Sequence, residues 1–351
     1  MPHRRSSHHV ELTSDVFYRP LVDIPRDQGD PFLVEAPPEA GTAFRFYIYT
    51  TDAEPTGERV LPVYGTNDLR RVEQLGEVLE GDNTKSQWAP LVRYVPGLDR
   101  PWVMISSHGR GVGEQAHVGH TLLRADALAP EGPFVYSGHD LTPDADFAID
   151  ADVYRSGGEL VLAYAMDFVD SEPLGTGIVE VGISEDLTTV SGEPRVLTRP
   201  SAPWEKYDDN RVMPWKDIPG VVWERGDTVD WGCDEAPVGG LTNRHGAEVV
   251  LYSGGNFADY YAVGALVRRA GRVVDVTNEE GHFVLQPQPD DGLFSIGHPS
   301  LVDLGEERAL LTHIRFGSPD APRQMALVPL LENEQGYPYV PTARELRTQD
   351  R

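Results

Sequence analysis

Residues 230–241 read DWGCDEAPVGGL, and beyond an Asn-Arg-His-Gly turn the chain continues as AEVVLYSGGN over 247–256 and YYAVGAL over 260–266. A carboxylate, Glu235, heads a short apolar run. A Gly-marked turn and two more runs rich in Val, Leu and Tyr follow it, which is the pattern of successive antiparallel strands. Four other strings begin in the same way: DPFLV at 30–34, WAPLV at 88–92, DADVY at 150–154 and HPSLV at 298–302, against EAPV at 235–238. Each leads through a turn signal to a strand-like run, at 44–50, 102–106, 160–164, 249–253 and 309–314. The heads lie 58, 62, 85 and 63 residues apart, a loose internal period that holds several strands per unit. Repeated four-stranded blades leave that trace. No segment of helical period and useful length intervenes, so alternating β-α architectures are excluded and the sequence predicts an all-β, five-bladed β-propeller in a single domain.

In a propeller the innermost strand of every blade lines the axis, so equivalent positions converge on one mouth. Asp30, Trp88, Asp150, Glu235 and His298 are therefore expected to share a pocket. Period-two alternation puts Asp152 on the same face as Asp150; the match to Asp30 and Glu235 favours Asp150. Glu131-Gly132-Pro133 falls late in the second blade and reads as turn chemistry. The propeller is expected over 27–345, preceded by a polar N-terminal arm at 1–26 with a solvated His8-His9 pair, and its tail beyond 342 is expected to fray. The longest gap holds an insertion near 199–229. Its Trp204, Trp215 and Trp223 are either stacking platforms for sugar rings or the insertion's own small core.

The formal net charge is −26, from 30 basic and 56 acidic residues, with Lys only at 85, 206 and 216. Such a field repels phosphate backbones and anionic lipid, so neither nucleic acid nor a membrane surface is an expected partner. The acidity itself reads as solubility rather than a binding function. One cysteine, Cys233, rules out an intrachain disulfide and a cysteine zinc cluster, and with no basic neighbour it reads as a packing residue. No apolar leader or spanning run is present, and the expected location is the cytoplasm. No feature indicates an oligomeric state.

Two carboxyls across a cleft, one protonated and one ionised, are the minimum for hydrolysing a glycosidic bond, and a third nearby raises the acid's pKa. The competing use of Asp30, Asp150, Glu235 and His298 is a divalent metal, although neither H-E-x-x-H nor EF-hand spacing occurs. G-x-S-x-G is absent too. Taken together in order, the strings resemble glycoside hydrolase family 43, the arabinofuranosidases, arabinanases and β-xylosidases on five-bladed propellers, from residue 29 to about 340.

That resemblance implies Asp30 as general base, Asp150 in Ile-Asp as pKa modulator and Glu235 in Glu-Ala-Pro as general acid. It gives Trp88 and Arg323 as substrate contacts, to which the insertion's Trp204 and Trp215 are added as the sugar platforms named above. His298 in Gly-His would hold a water-bound ion, a structural calcium at the axis, with no cofactor required. Ala236 replaces the usual Gly, a small change on a strand. The implied activity is inverting release of terminal arabinofuranosyl or xylosyl residues from short oligosaccharides. A non-catalytic sugar-binding propeller, a retaining five-bladed glycosidase and a glycoside phosphorylase are the alternatives.

Overall fold

The structure, a computed structural model, describes residues 12–349 except 23, 25, 54–58, 79–85, 110–118, 171, 213–225 and 306. Five strands of matching character head five antiparallel blades: Gly29–Glu35, Gln87–Tyr94, Ala148–Ser156, Thr228–Thr242 and Leu293–Asp303, with blades three and four joined into one sheet by a short parallel pairing of Gly175 and Thr176 with Gly232 and Cys233. Each pairs with a second strand, Phe46–Ala53, Trp102–Gly109, Glu159–Phe168, Glu248–Gly255 and Arg308–Phe316, and each second strand pairs with a third. In blades one to four a fourth strand follows. In blade five the outer neighbour is the N-terminal segment, whose Tyr18 and Leu21 N–H groups donate to the Leu327 and Met325 carbonyls at 2.9 Å. The stretch expected to be a separate arm is thus part of the last blade where it is described. Leu12, Phe17, Leu21, Val22 and Ile24 pack onto it because an open sheet edge with apolar neighbours is better covered than wet. His8 and His9 lie outside the described residues.

Ring closure is read from the core, which is divided among the seams between blades. Tyr47 and Tyr49 meet Trp102 and Met104 between blades one and two. Leu91 and Ile105 meet Val153 and Leu162 in the next seam, Val161 and Ala163 meet Val250 and Tyr252 in the third, and Leu251 and Val263 meet Ile296 and Leu310 in the fourth. Leu33, Ile48 and Tyr64 close the circle against Leu311, Met325 and Leu327. Burying each such side chain contributes about 2 kcal/mol, so every seam is a small core of its own.

A single irregularity repeats in every innermost strand. Asp30, Ala89, Asp150, Ala236 and His298 all have left-handed backbones, with φ of 52, 46, 58, 52 and 50°. The ladder shifts register there each time, between 29 and 32, 88 and 91, 149 and 152, 235 and 238, and 297 and 300. Each non-glycine residue held left-handed costs roughly 1–2 kcal/mol. The next residue is proline in four blades, which the bulge accepts because its missing N–H is not asked to join the ladder.

This bulge corrects the alignment made from sequence alone. Ala89 and Ala236, not Trp88 and Glu235, are the equivalents of Asp30, so Trp88 and Glu235 stand one residue earlier and face a different side of the bulge. It also shows that Ala at position 236 is not the small change expected of an ordinary strand residue, because its left-handed backbone is one that glycine adopts without strain.

The described part of the insertion forms a strand, Lys206–Val212, paired to the first half of the fifteen-residue strand Thr228–Thr242. Beyond 342 the chain makes a short helix, Ala343–Gln349, rather than a frayed tail. Ala343 N–H donates to Gln288 Oε1, and Arg347 pairs with Asp291 at 2.6 Å. Among the described residues no helix is long and apolar enough to cross a membrane.

Candidate active site

Two cavities meet at the axis. A pit of about 580 Å³ is lined by Trp88, Asp30, Asp150, Glu235, Tyr261, His298 and Arg323 among others. An axial cavity of about 440 Å³ is lined by Ala89, Asp152, Ala236 and again Asp30, Asp150 and His298. The offset at the bulge accounts for the division. Of the left-handed residues, Asp30, Asp150 and His298 reach both spaces and Ala89 and Ala236 line the axial cavity alone, whereas Trp88 and Glu235, one residue earlier than the two alanines, line the pit alone.

The bulges are tied from blade to blade. Thr51, Ser107 and Ser253 sit on second strands opposite Gly29, Trp88 and Glu235. Their hydroxyls accept the N–H of Ala89, Asp150 and His298 in the following blade at 2.8, 3.2 and 2.8 Å. Blade three has Ala165 at that place and no hydroxyl to offer. There Asp150 Oδ2 accepts the Ala236 N–H instead, at 3.2 Å, which fastens the carboxyl next to Glu235. Asp152 is occupied elsewhere, taking Gly239 N–H at 2.8 Å and Arg93 at 3.3 Å on the axial side, so the structure selects Asp150 for the pit.

Asp30 is held by Arg323, whose Nη1 donates to its Oδ1 at 2.9 Å while Nη2 donates to Asp27 at 2.6 Å. Burial pushes the Asp30 carboxyl up, but Arg323 with His298 and His313 outweighs it and holds Asp30 well below the ordinary range. Arg323 is the one permanent cation of that set, since burial keeps both imidazoles below their usual values. Gly29 makes room for this pairing: a Cβ there would lie 2.0 Å from the guanidinium carbon.

Asp150 and Glu235 shift the other way. Burial raises both, each in the field of other carboxyls: Glu235 and Asp30 push Asp150 up, and Asp30 pushes Glu235 up against the opposing donors Tyr261 and Cys233. A side-chain atom from each of Asp150, Glu235 and His298 lies within 4.8 Å of the other two, so the two carboxyls titrate as a pair, both raised where Asp30 is lowered. The same three atoms could close on a cation, and among the described residues they form the group that could. Carboxylate and imidazole donors suit a divalent ion, but one bound to Glu235 would displace the proton an acid needs. His298 Nδ1 sits 3.3 Å from Asp30 and 3.8 Å from Asp150, between the two carboxyls.

Trp88 lines the pit and stacks on His120 at 3.8 Å. Trp204, expected at the sugar, is instead packed on Tyr252 and Phe283, with its indole N–H on Asn278; it does not line the pit. Trp215 and Trp223 lie outside the described residues. Sequence reasoning missed Tyr207, Asp208 and Arg211, which the insertion strand brings to the pit wall, and Tyr261. Cys233, read as packing, is buried but also lines the pit with its sulfur 3.3 Å from Glu235 Oε2. Its placement on the Glu235 face was the available signal.

The sequence matches no family model and no curated protein. Solved structures do match. A thermostable family-43 glycoside hydrolase superposes with a TM-score of 0.70 at 22% identity, over 93% of this chain and 96% of that one. This chain has the family-43 glycoside hydrolase fold. An α-L-arabinofuranosidase from Lactobacillus brevis gives 0.66 at 18% identity over 93% and 97% of the two chains. A Cellvibrio cellulosa α-L-arabinanase complexed with arabinohexaose gives 0.60 at 14%, over 92% and 97%. In this version of the fold the carboxyls of Asp30, Asp150 and Glu235 come from strand bulges that sequence spacing locates to within one residue.

Proposed function

We propose that the protein is a glycoside hydrolase that releases terminal arabinofuranosyl or xylosyl residues from short oligosaccharides with inversion. The arrangement that carries this reading is the unequal setting of the carboxyls in one pit: Asp30 is paired with Arg323 at 2.9 Å and held low, while burial raises both Asp150 and Glu235. Glycosidic cleavage asks for that pair of states. Glu235 gives its proton to the leaving oxygen as the bond to the anomeric carbon breaks. A water on the opposite ring face adds to that carbon and passes its proton to Asp30. Asp150 keeps the acid protonated, Trp88 offers a face for the sugar ring, and Arg323 fixes the base. The likeness to arabinan- and xylan-acting structures supports the pentose assignment. An ion reached through water from His298 in the axial cavity would be structural in this scheme.

The test is a panel of nitrophenyl pentosides and hexosides, with proton NMR of the first-formed anomer. Hydrolysis with inversion is expected, and Glu235→Gln should lower kcat/KM about 10²- to 10⁴-fold on substrates that need protonation. Retention of configuration would remove Asp30 from the role of base. Sugar binding with no turnover by the wild type would replace the enzyme with a binding propeller.

A further inference from the structure

Glu235 is met by a donor at each oxygen, and the two donors are unequal. Tyr261 O–H donates to Oε1 at 2.6 Å, and the Cys233 thiol approaches Oε2 at 3.3 Å. A phenol is a strong donor and a thiol a weak one. Tyr261 lies on the third strand of blade four, Tyr261–Arg269, and is fully buried. Its ring is parallel to that of His313 with centroids 5.6 Å apart, and the glycine at 297 leaves it space, since a Cβ there would fall 2.3 Å from the ring. A side chain packed this closely by His313 and Gly297 has little freedom in where it puts its hydroxyl.

We propose that Tyr261 is a positioning residue for the general acid: it fixes Oε1, so that Oε2 carries the transferable proton, with Cys233 as a weak placeholder that the glycosidic oxygen displaces. The proposal rests on Glu235 being the acid. In the step itself the Oε2–H bond breaks and the proton goes to the glycosidic oxygen, which leaves with the electron pair of the broken bond to carbon. Glu235 becomes a carboxylate, and the Tyr261 bond turns from neutral to charge-assisted at that moment. Tyr261 therefore binds the transition state more tightly than the ground state, as catalysis requires. Its phenol stays a donor throughout, because burial and the neighbouring carboxyls push its ionisation well above the ordinary value. A core tyrosine with no part in the reaction would have no preference between leaving groups.

The experiment is a leaving-group series of aryl glycosides on the sugar that wild type accepts. A 2,4-dinitrophenolate leaves without protonation, whereas an unsubstituted phenolate needs the acid. Tyr261→Phe should lower kcat/KM for the phenyl glycoside about 10- to 100-fold, the worth of a hydrogen bond to a charged group. The dinitrophenyl glycoside should change by no more than about threefold, which also reports that the variant is folded. Cys233→Ala should cost the phenyl glycoside less than Tyr261→Phe does, and Cys233→Ser, a stronger donor on Oε2, should slow phenyl more than dinitrophenyl. Equal losses on both leaving groups for Tyr261→Phe would make it structural and overturn the proposal. A Cys233→Ala loss as large as that of Tyr261→Phe would overturn the division of roles between the oxygens. If wild type cleaves no aryl glycoside, the glycosidase reading falls first and this one with it.

Discussion

Replacing Asp150 with Asn removes a charge from the acid pair while keeping a carbonyl oxygen for the Ala236 N–H. In the wild type burial raises both carboxyls and the charge of Glu235 raises Asp150 further, so the form with one proton persists to higher pH and activity should fall as pH climbs through the upper ionisation. With facing atoms within 4.8 Å and an effective dielectric constant of about 20, two unit charges repel by about 3 kcal/mol. Without that repulsion Glu235 loses its proton more easily. The alkaline limb of kcat/KM should move toward lower pH by about two pH units, and at pH values above the displaced limb the variant should be about a hundredfold slower. Initial rates with the phenyl glycoside across pH 4 to about 9 measure this. An alkaline limb that stays in place or moves upward would refute the pairing of Asp150 with Glu235.

Arg323→Met leaves Asp27 and Asp30 buried without their cation, and should cost about 3–5 kcal/mol of stability at neutral pH, read from urea midpoints. The depressed Asp30 contributes stability above the ordinary carboxylate range and loses it only on acidification through its folded value, so the gap between wild type and variant should narrow as pH falls. Ala236→Gly relieves a left-handed alanine and should stabilise by about 1 kcal/mol; a loss instead would mean the buried methyl outweighs the strain. Treatment with EDTA should leave kcat/KM unchanged, and a loss restored by Ca²⁺ would make His298 and its carboxylate neighbours a metal centre.

The blade period was legible because each innermost strand repeats one device, a left-handed residue followed in four blades by proline, and proline leaves a mark in sequence. The one-residue error at Trp88 and Glu235 arose because the strings begin with the residue that draws the eye, while the geometry counts from the bulge. Asp150 could not be separated from Asp152 by alternation; the missing hydroxyl at Ala165 and the Arg93 partner of Asp152 decide it, and both are contacts between blades. Trp204 misled because an indole in an insertion looks like a sugar platform, whereas an aromatic neighbourhood on blade four absorbs it. Tyr261 left only an indirect sign, the glycine that precedes His298.

The bond between Asp30 and Arg323 spans 293 positions. When the first blade leaves the ribosome, its aspartate has no cation and the apolar face that blade five will cover is still bare. Translation must proceed nearly to the C-terminus before either is satisfied. Nascent chains that stall short of Arg323 therefore present a half-built ring, open at one seam and suited to chaperone capture or degradation. Catalytic competence and resistance to quality control should appear at the same codon.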